Sequence, residues 1–414
     1  MKLSKLSQLL LVSLMGLLAA SLLTACQIIT IDYIFVASSA GSGSSSGVID
    51  VFAADSESGA LRSAVSPVSS GGNSPVALAV SPNYLNLYVA NQASNNIVHF
   101  KIASNGQLAK ADAVTLGSQG LSPVSIAVNK AGTQLYVVSS EYPDKTPGAA
   151  LAVFSLSSSG TIGSAAANGA LHYWPLTLPG FESDLIVPTG VAVMTNNDAV
   201  YVTAYDQSAY NPGGTTTSNA NPGWVFGFRA GSSLSAAAGS PFEAGVKPTA
   251  IVCDPTNRFV YATDYASNEL IAYNIASNFA LSFITNGPFK TGNEPQSITI
   301  DPRGKYLYVA NALDSSVSAY AIDLPTGTPA AAVNPTGSAT NTTDTEPVSI
   351  LVDAALGRFV YTANFLGNSV SGFQLNPQTG TLTNTLSTPY PSSAAPTAIA
   401  SVPHGSHSSQ FVTQ

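Results

Sequence analysis

The sequence predicts an all-β protein, a seven-bladed β-propeller of four-stranded blades whose N-terminal blade is closed by the C-terminal strand. Three observations carry this. A proline followed by an alternating apolar strand recurs at Pro75, Pro123, Pro188, Pro248, Pro295, Pro347 and Pro396, at spacings of 47 to 65 residues. A tyrosine opens a second strand 13 residues after most of these prolines (Tyr88, Tyr136, Tyr201, Tyr261, Tyr308) and 14 after Pro347, at Tyr361. The apolar positions alternate with period two, which excludes a helical solenoid of similar repeat length.

Taken in chain order, the elements begin with a leader. Lys2 and Lys5 precede an apolar run from Leu9 to Leu23, too short for a comfortable membrane span and followed by small residues, as in an export signal. The run ends in Leu23-Thr24-Ala25-Cys26, which resembles the lipobox of bacterial lipoproteins. That resemblance implies a signal peptide over residues 1–25, lipidation of Cys26, and a short tether over 26–30. Gln27 lacks the acid of an inner-membrane retention signal, which points to the outer membrane.

The propeller is expected over residues 31–402. The chain enters at Tyr33-Ile34-Phe35-Val36, which matches a second strand, and leaves with Pro396-Thr397-Ala398-Ile399, which matches a first. Pairing these two closes the ring and removes its open edges. Between first and second strands lie tight-turn sequences such as Asp254-Pro255-Thr256-Asn257 and Asp301-Pro302-Arg303-Gly304. Third strands each supply an aromatic: Phe52, Phe100, Phe154, Phe228, Tyr273, Tyr320 and Phe373. A short fourth strand follows, clearest at Gly59-Ala60-Leu61, Gly106-Gln107-Leu108 and Gly380-Thr381-Leu382. Residues 403–414 read as a polar tail.

Composition excludes several functions. Charged residues are 9% against 45% hydrophobic, so the chain is not disordered. A net charge of −8 argues against nucleic acid, which requires clustered Lys and Arg. Two cysteines make neither a disulfide scaffold nor a cysteine-built zinc site.

Leu87-Tyr88-Val89-Ala90-Asn91 and Leu307-Tyr308-Val309-Ala310-Asn311 resemble the YVTN type of propeller repeat. The arrangement over 31–402 resembles the seven-bladed lactonase family, whose best-known activity is hydrolysis of 6-phosphogluconolactone. That resemblance implies His and Arg-His at the starts of innermost strands and a Glu just beyond a second strand. This chain departs from it: the prolines are followed by pairs such as Val76-Ala77, Thr249-Ala250 and Gln296-Ser297, and Ala312 stands where the acid would be. No catalytic residue is carried over.

Candidate residues come instead from loop lengths. The tyrosine-to-aromatic distance is 12 in four repeats, but 18 from Tyr136 to Phe154 and 27 from Tyr201 to Phe228. With a further insertion over residues 168–187, these segments are expected to gather Glu141, Tyr142, His172, Trp174, Tyr205, Tyr210 and Trp224 on the face where second strands turn into third strands. Lys247, Glu294 and Glu346 directly precede first-strand prolines on that face, and Asn311 leaves a second strand there. Such a ring of carboxamides and carboxylates offers oxygen ligands to a sugar, a lactone or a divalent ion, although no cofactor or bound metal is expected. His172, Glu294 and Glu346 are the candidate acid–base groups. His99 and Cys253 fall in strand columns filled elsewhere by small or apolar residues and read as structural. Arg258, Arg303 and Arg358 fall in turns on the opposite face, which disfavours a phosphorylated ligand.

The expectation is therefore a monomeric, lipid-anchored cell-envelope module that binds a protein, glycan or small ligand on its loop-rich face, touching the membrane through its anchor alone. The alternative is a carbohydrate-lactone hydrolase.

Overall fold

The computed structural model describes residues 29–39, 46–117, 120–142, 144–163, 172–210, 221–231, 234–334 and 337–405. The leader, Cys26 and the tail beyond Gly405, His407 included, lie outside them. Seven antiparallel sheets form, in which strand A is innermost and strand D outermost. In the first blade Pro396–Pro403 (A) pairs with Thr30–Ser38 (B), followed by Val48–Asp55 (C) and Leu61–Ser69 (D). Strands A to C of the next three blades are Pro75–Val80, Asn86–Asn91 and Asn96–Ile102; Leu121–Val128, Gln134–Glu141 and Pro147–Ser155; and Ile186–Val193, Ala199–Asp206 and Gly223–Arg229. Those of the last three are Pro248–Cys253, Phe259–Asp264 and Glu269–Ile275; Pro295–Ile300, Tyr306–Asn311 and Ser316–Ile322; and Pro347–Val352, Phe359–Asn364 and Ser369–Leu375.

Ring closure follows the sequence expectation, with Val36 opposite Ile399. The closing strand runs slightly further than expected. Pro403 pairs with Asp32, the His404 N–H donates to the Ile31 carbonyl (2.8 Å), and the His404 ring packs edge-on against Tyr33. Residues 403 and 404 thus belong to the first blade rather than to the tail.

B strands are buried along almost their whole length because a neighbouring blade covers each face. The core is accordingly a set of inter-blade clusters; Phe359, Tyr361, Ile34 and Phe52, for instance, join the seventh blade to the first. The repeated tyrosine has a second task there. Tyr308 Oη donates to the Gly380 carbonyl (2.9 Å), Tyr261 to Gly327 (2.8 Å), Tyr361 to Gly59 (2.7 Å) and Tyr88 to Gly160 (2.7 Å), each in the C–D turn of the next blade. These glycines have positive φ, which lets the turn bring its carbonyl to the hydroxyl. The A–B hairpins are fixed by buried aspartates. Asp301 Oδ1 accepts the Lys305 and Tyr306 N–H groups, and Asp254 Oδ1 those of Arg258 and Phe259.

Two features differ from expectation. In the fourth to seventh blades strand D is two short pieces pairing with opposite ends of strand C, such as Pro329–Ala331 and Thr340–Thr342. In the third blade strand D is His172–Leu176, drawn from the segment read as a face insertion.

Candidate ligand site at the channel mouth

The A strands enclose a channel of about 300 Å³. Among the described residues its wall holds no acid, base or thiol, only apolar groups, one glutamine and hydroxyls, some of which knit adjacent blades. Thr249 Oγ1 donates to the Pro295 carbonyl (2.6 Å) and Thr397 Oγ1 to that of Pro75 (2.6 Å). Charged recognition or chemistry must therefore come from the mouth.

The mouth is built by the residue before each A-strand proline. Ser74, Ser122, Glu294, Glu346 and Ala395 all have φ between 52° and 58°, a conformation that costs a non-glycine residue about 1–2 kcal/mol. It is held in place by the turn that follows strand B: Ala312 N–H donates to the Glu294 carbonyl, Phe365 N–H to that of Glu346 and Gln92 N–H to that of Ser74. Lys247 takes the same bond from Tyr265 N–H (2.9 Å).

One arc of the mouth concentrates functional side chains. The Lys247 ammonium lies 4.6 Å from the Tyr265 ring centroid, 5.4 Å from Tyr210 and 5.5 Å from Tyr205. Tyr205 and Tyr210 themselves meet edge-to-face at 5.4 Å. Three electron-rich ring faces hold one cation, each contact contributing about 0.5–2 kcal/mol. The Tyr265 phenol is pushed up to about 12, first by burial, then by the nearby Glu294 carboxylate. Tyr265 is thus neutral at physiological pH. The arc offers an ammonium, a phenol, carboxylates and flat aromatic faces, a set suited to a polyol or a lactone carbonyl.

Tyr205, Tyr210, Lys247, Glu294 and Glu346 therefore come together at the mouth as a group. Tyr265 completes it and was missed in the sequence. Its signal was an aromatic directly after a B strand, where two other repeats have Gln92 and Ala312.

Other candidates lie elsewhere. Asn311 is fully buried, and its amide nitrogen donates to Ser316 and Ser318 Oγ, so it caps its own turn while its Oδ1 is shielded from solvent without a partner. Asn91, Asp264 and Asn364, which leave their B strands at the same offset, are likewise buried and bonded within the turn region, so of the expected ring the carboxylates Glu294 and Glu346 remain at the mouth. Among the described residues no group of three His, Cys, Asp or Glu is placed to hold a metal.

His172 pairs through its backbone with Val153 in an outer strand, not on the loop face. Trp174, two residues on, packs edge-to-face on Phe228 of the fourth blade at 5.6 Å. The reason is that the inserted segment supplies the strand D that this blade needs to cover strand C. The extra residues between Tyr136 and Phe154 lengthen a hairpin, in which Glu141 pairs with Pro147 and the Tyr142 ring lies against Gly148, where no side chain could fit. Trp224 lines a separate cleft of about 730 Å³ with Leu178, Phe181, Asp184, Asp206 and Pro241. The expected single cluster is thus divided between the mouth and the outer junction of the third and fourth blades.

His99 is buried as expected, stacked on Tyr88 with its ring nitrogens 2.6 Å from Asp112 Oδ1 and 2.9 Å from Asn86 Oδ1. Cys253 is also buried, which pushes its thiol far up. Arg258 and Arg303 lie in A–B turns away from the mouth; Arg258 donates to the Leu324 carbonyl and Arg303 to Asp301 and the Gly357 carbonyl.

A family model described as lactonase, 7-bladed beta-propeller, matches residues 33–171 and 216–343. Among solved structures, the periplasmic gluconolactonase of Pseudomonas aeruginosa superposes with a TM-score of 0.71 at 18% identity, over 91% of this chain and 100% of that one. A candidate 6-phosphogluconolactonase from Bacteroides uniformis gives 0.68 at 19% identity, over 90% and 100%. A protein from Lactobacillus plantarum gives 0.67 at 14%, over 90% and 99%. No curated protein matches the chain.

Proposed function

This chain belongs to the lactonase family of seven-bladed β-propellers, and from that premise we propose that it is an exported binding module that takes an unphosphorylated carbohydrate or lactone at the channel mouth. The observation that carries the reading is Lys247 caged by Tyr205, Tyr210 and Tyr265. Aromatic faces suit the apolar faces of a sugar ring, while the ammonium and carboxylates suit its hydroxyls. Phosphate is disfavoured because Glu294 and Glu346 share the rim with the one caged cation, and Arg258 and Arg303 are engaged at the other end of the strands. Calorimetric titration with glucono-lactone, gluconate and a 6-phosphorylated analogue tests this. Lys247→Ala should weaken the unphosphorylated ligands at least about tenfold, the loss of roughly 1.4 kcal/mol. Equal binding by Lys247→Ala, or tighter binding of the phosphorylated analogue, would sink the proposal.

The Glu294 carboxylate, near the Tyr265 phenol that stacks on Lys247, also favours a second reading, lactone hydrolysis. Water would add to the carbonyl polarised by Lys247 while Glu294 accepts its proton; the ring C–O bond would then break as Glu294 returns that proton to the leaving oxygen. Glu294→Gln should then lower turnover by about 10²–10⁴-fold. Hydrolysis no faster than the spontaneous rate removes this reading and leaves the first.

The Leu-Thr-Ala-Cys ending motivates tethering to the bacterial envelope through Cys26. Cys26→Ser should release the protein to the soluble fraction or leave it uncleaved; a processed, membrane-bound Cys26→Ser protein would refute tethering.

A further inference from the structure

Beyond Tyr265 the rim changes character. Glu294 is stitched between two turns: its N–H donates to Asn268 Oδ1 (2.8 Å) in the fifth blade, and its carbonyl accepts from Ala312 in the sixth (2.9 Å). Glu346 is stitched in the same way, its N–H donating to Ser315 Oγ (3.4 Å) and its carbonyl accepting from Phe365 in the seventh blade (2.8 Å). The order along the rim is therefore fixed as Glu294, the turn of Leu313, Glu346, the turn of Leu366.

Leu313 is 65% exposed and Leu366 61%. The fold does not require them. The equivalent turn position is Ala93 in the second blade and Ala266 in the fifth, within turns of the same form. Exposing two leucines at neighbouring positions leaves apolar surface in water at about 25 cal/mol per Å². Acids accompany them: Asp314 lies in the Leu313 turn, and Asp344 bonds Ser369 just after the Leu366 turn. On the outer side of the fifth blade, Lys290 is paired with Glu269 at 2.9 Å.

We propose that this arc, Glu294–Leu313–Glu346–Leu366, docks a polypeptide segment that carries Lys or Arg next to an apolar side chain. Charge complementarity selects the cation, and the two leucines select its neighbour. A second copy of the chain is the poorer occupant, since Arg258 and Arg303 on its opposite face are already engaged. The arc shares Glu294 and Glu346 with the mouth site, and its two leucines, which the Lys247 cage does not use, allow it to be tested apart.

The test is fluorescence anisotropy on the folded chain with three capped peptides: alternating Leu and Lys, alternating Leu and Glu, and alternating Ser and Lys. The Leu/Lys peptide should bind at least about tenfold more tightly than the other two, a difference of roughly 1.4 kcal/mol. The double variant Leu313→Ser/Leu366→Ser should erase that preference, with unchanged melting and unchanged titration of the cage by glucono-lactone. Failure of the cage ligand alone therefore leaves this proposal standing. No binding of the Leu/Lys peptide, equal binding of the Leu/Glu peptide, or an unaffected double variant would overturn it. So would sedimentation showing self-association that the leucine variant abolishes, because the arc would then belong to a second copy.

Discussion

The junction between the sixth and seventh blades and that between the third and fourth are built on different principles. At the former, Tyr308 Oη reaches across to the Gly380 carbonyl and Ser315 Oγ takes the Glu346 N–H, so both ends of the seam are fixed by hydrogen bonds from repeat positions. At the latter, Tyr136 Oη donates to Gln134 Oε1 of its own strand, and the seam is filled by Trp174 on Phe228 with Leu176, Leu178 and Ile186 packed nearby. The cleft of about 730 Å³ opens beside this second seam. Repeat-encoded bonds fix the spacing of a junction, whereas apolar filling leaves it free to accept insertions and cavities. The mouth site follows the same division, with the bonded arc supplying Glu294 and Glu346 and the enlarged fourth blade supplying Tyr205 and Tyr210.

The largest test of this contrast is ring closure. Removing residues 396–414 deletes strand A of the first blade and exposes the edge of Thr30–Ser38. Cooperative unfolding by circular dichroism should be lost, whereas removing residues 406–414 should leave the melting temperature unchanged. Matching melts for the two truncations would contradict the shared first blade. Next in size, Tyr308→Phe leaves the buried Gly380 carbonyl without its partner and should cost about 1–3 kcal/mol in urea denaturation. Tyr136→Phe should cost less, about 0.5 kcal/mol, because Gln134 is partly exposed and water replaces the hydroxyl. Reversal of that order would erase the distinction between the seams. Trp174→Ala should cost about 1–2 kcal/mol through lost packing on Phe228.

A further effect concerns pH at the seam between the seventh and first blades. Burial, and then the adjacent Asp353 carboxylate, push the Asp32 carboxyl well above its usual range. The native state therefore holds this proton more tightly than the unfolded chain. Its contribution is fully present below the unfolded-state value of about 4 and is lost as pH rises toward the raised native value. Asp32→Asn should flatten this decline, gaining on the wild type as pH rises toward neutral. Parallel melting-against-pH curves for the two proteins would show that the pair does not titrate in this way.

Much of the architecture was legible because it is local and repeated. Proline, tyrosine and third-strand aromatic recur at fixed offsets, and the turn aspartates bond N–H groups only four and five residues away. Lys247, Glu294 and Glu346 were legible as rim positions by the same register. Asn311 was misread because its offset places it on the mouth face, while its amide has closer partners in Ser316 and Ser318. His172 and Trp174 were misread because loop length alone does not tell a face insertion from a displaced outer strand. Pro175 between Trp174 and Leu176 weakened the strand signal that the aromatics carried.

By itself, then, the sequence determined the seven blades, the pairing of residues 33–36 with 396–399, and the face on which charged rim residues stand, because period-two burial and short turns are written within each repeat. The tertiary structure decided which of those residues meet. Tyr205, Tyr210, Lys247, Tyr265 and Glu294 come from three blades, and their convergence depends on ring curvature, on the backbone bonds to residues 247 and 294, and on the left-handed backbone at Glu294. No offset along one repeat encodes a distance between side chains that only the closed ring brings within a few ångströms of one another.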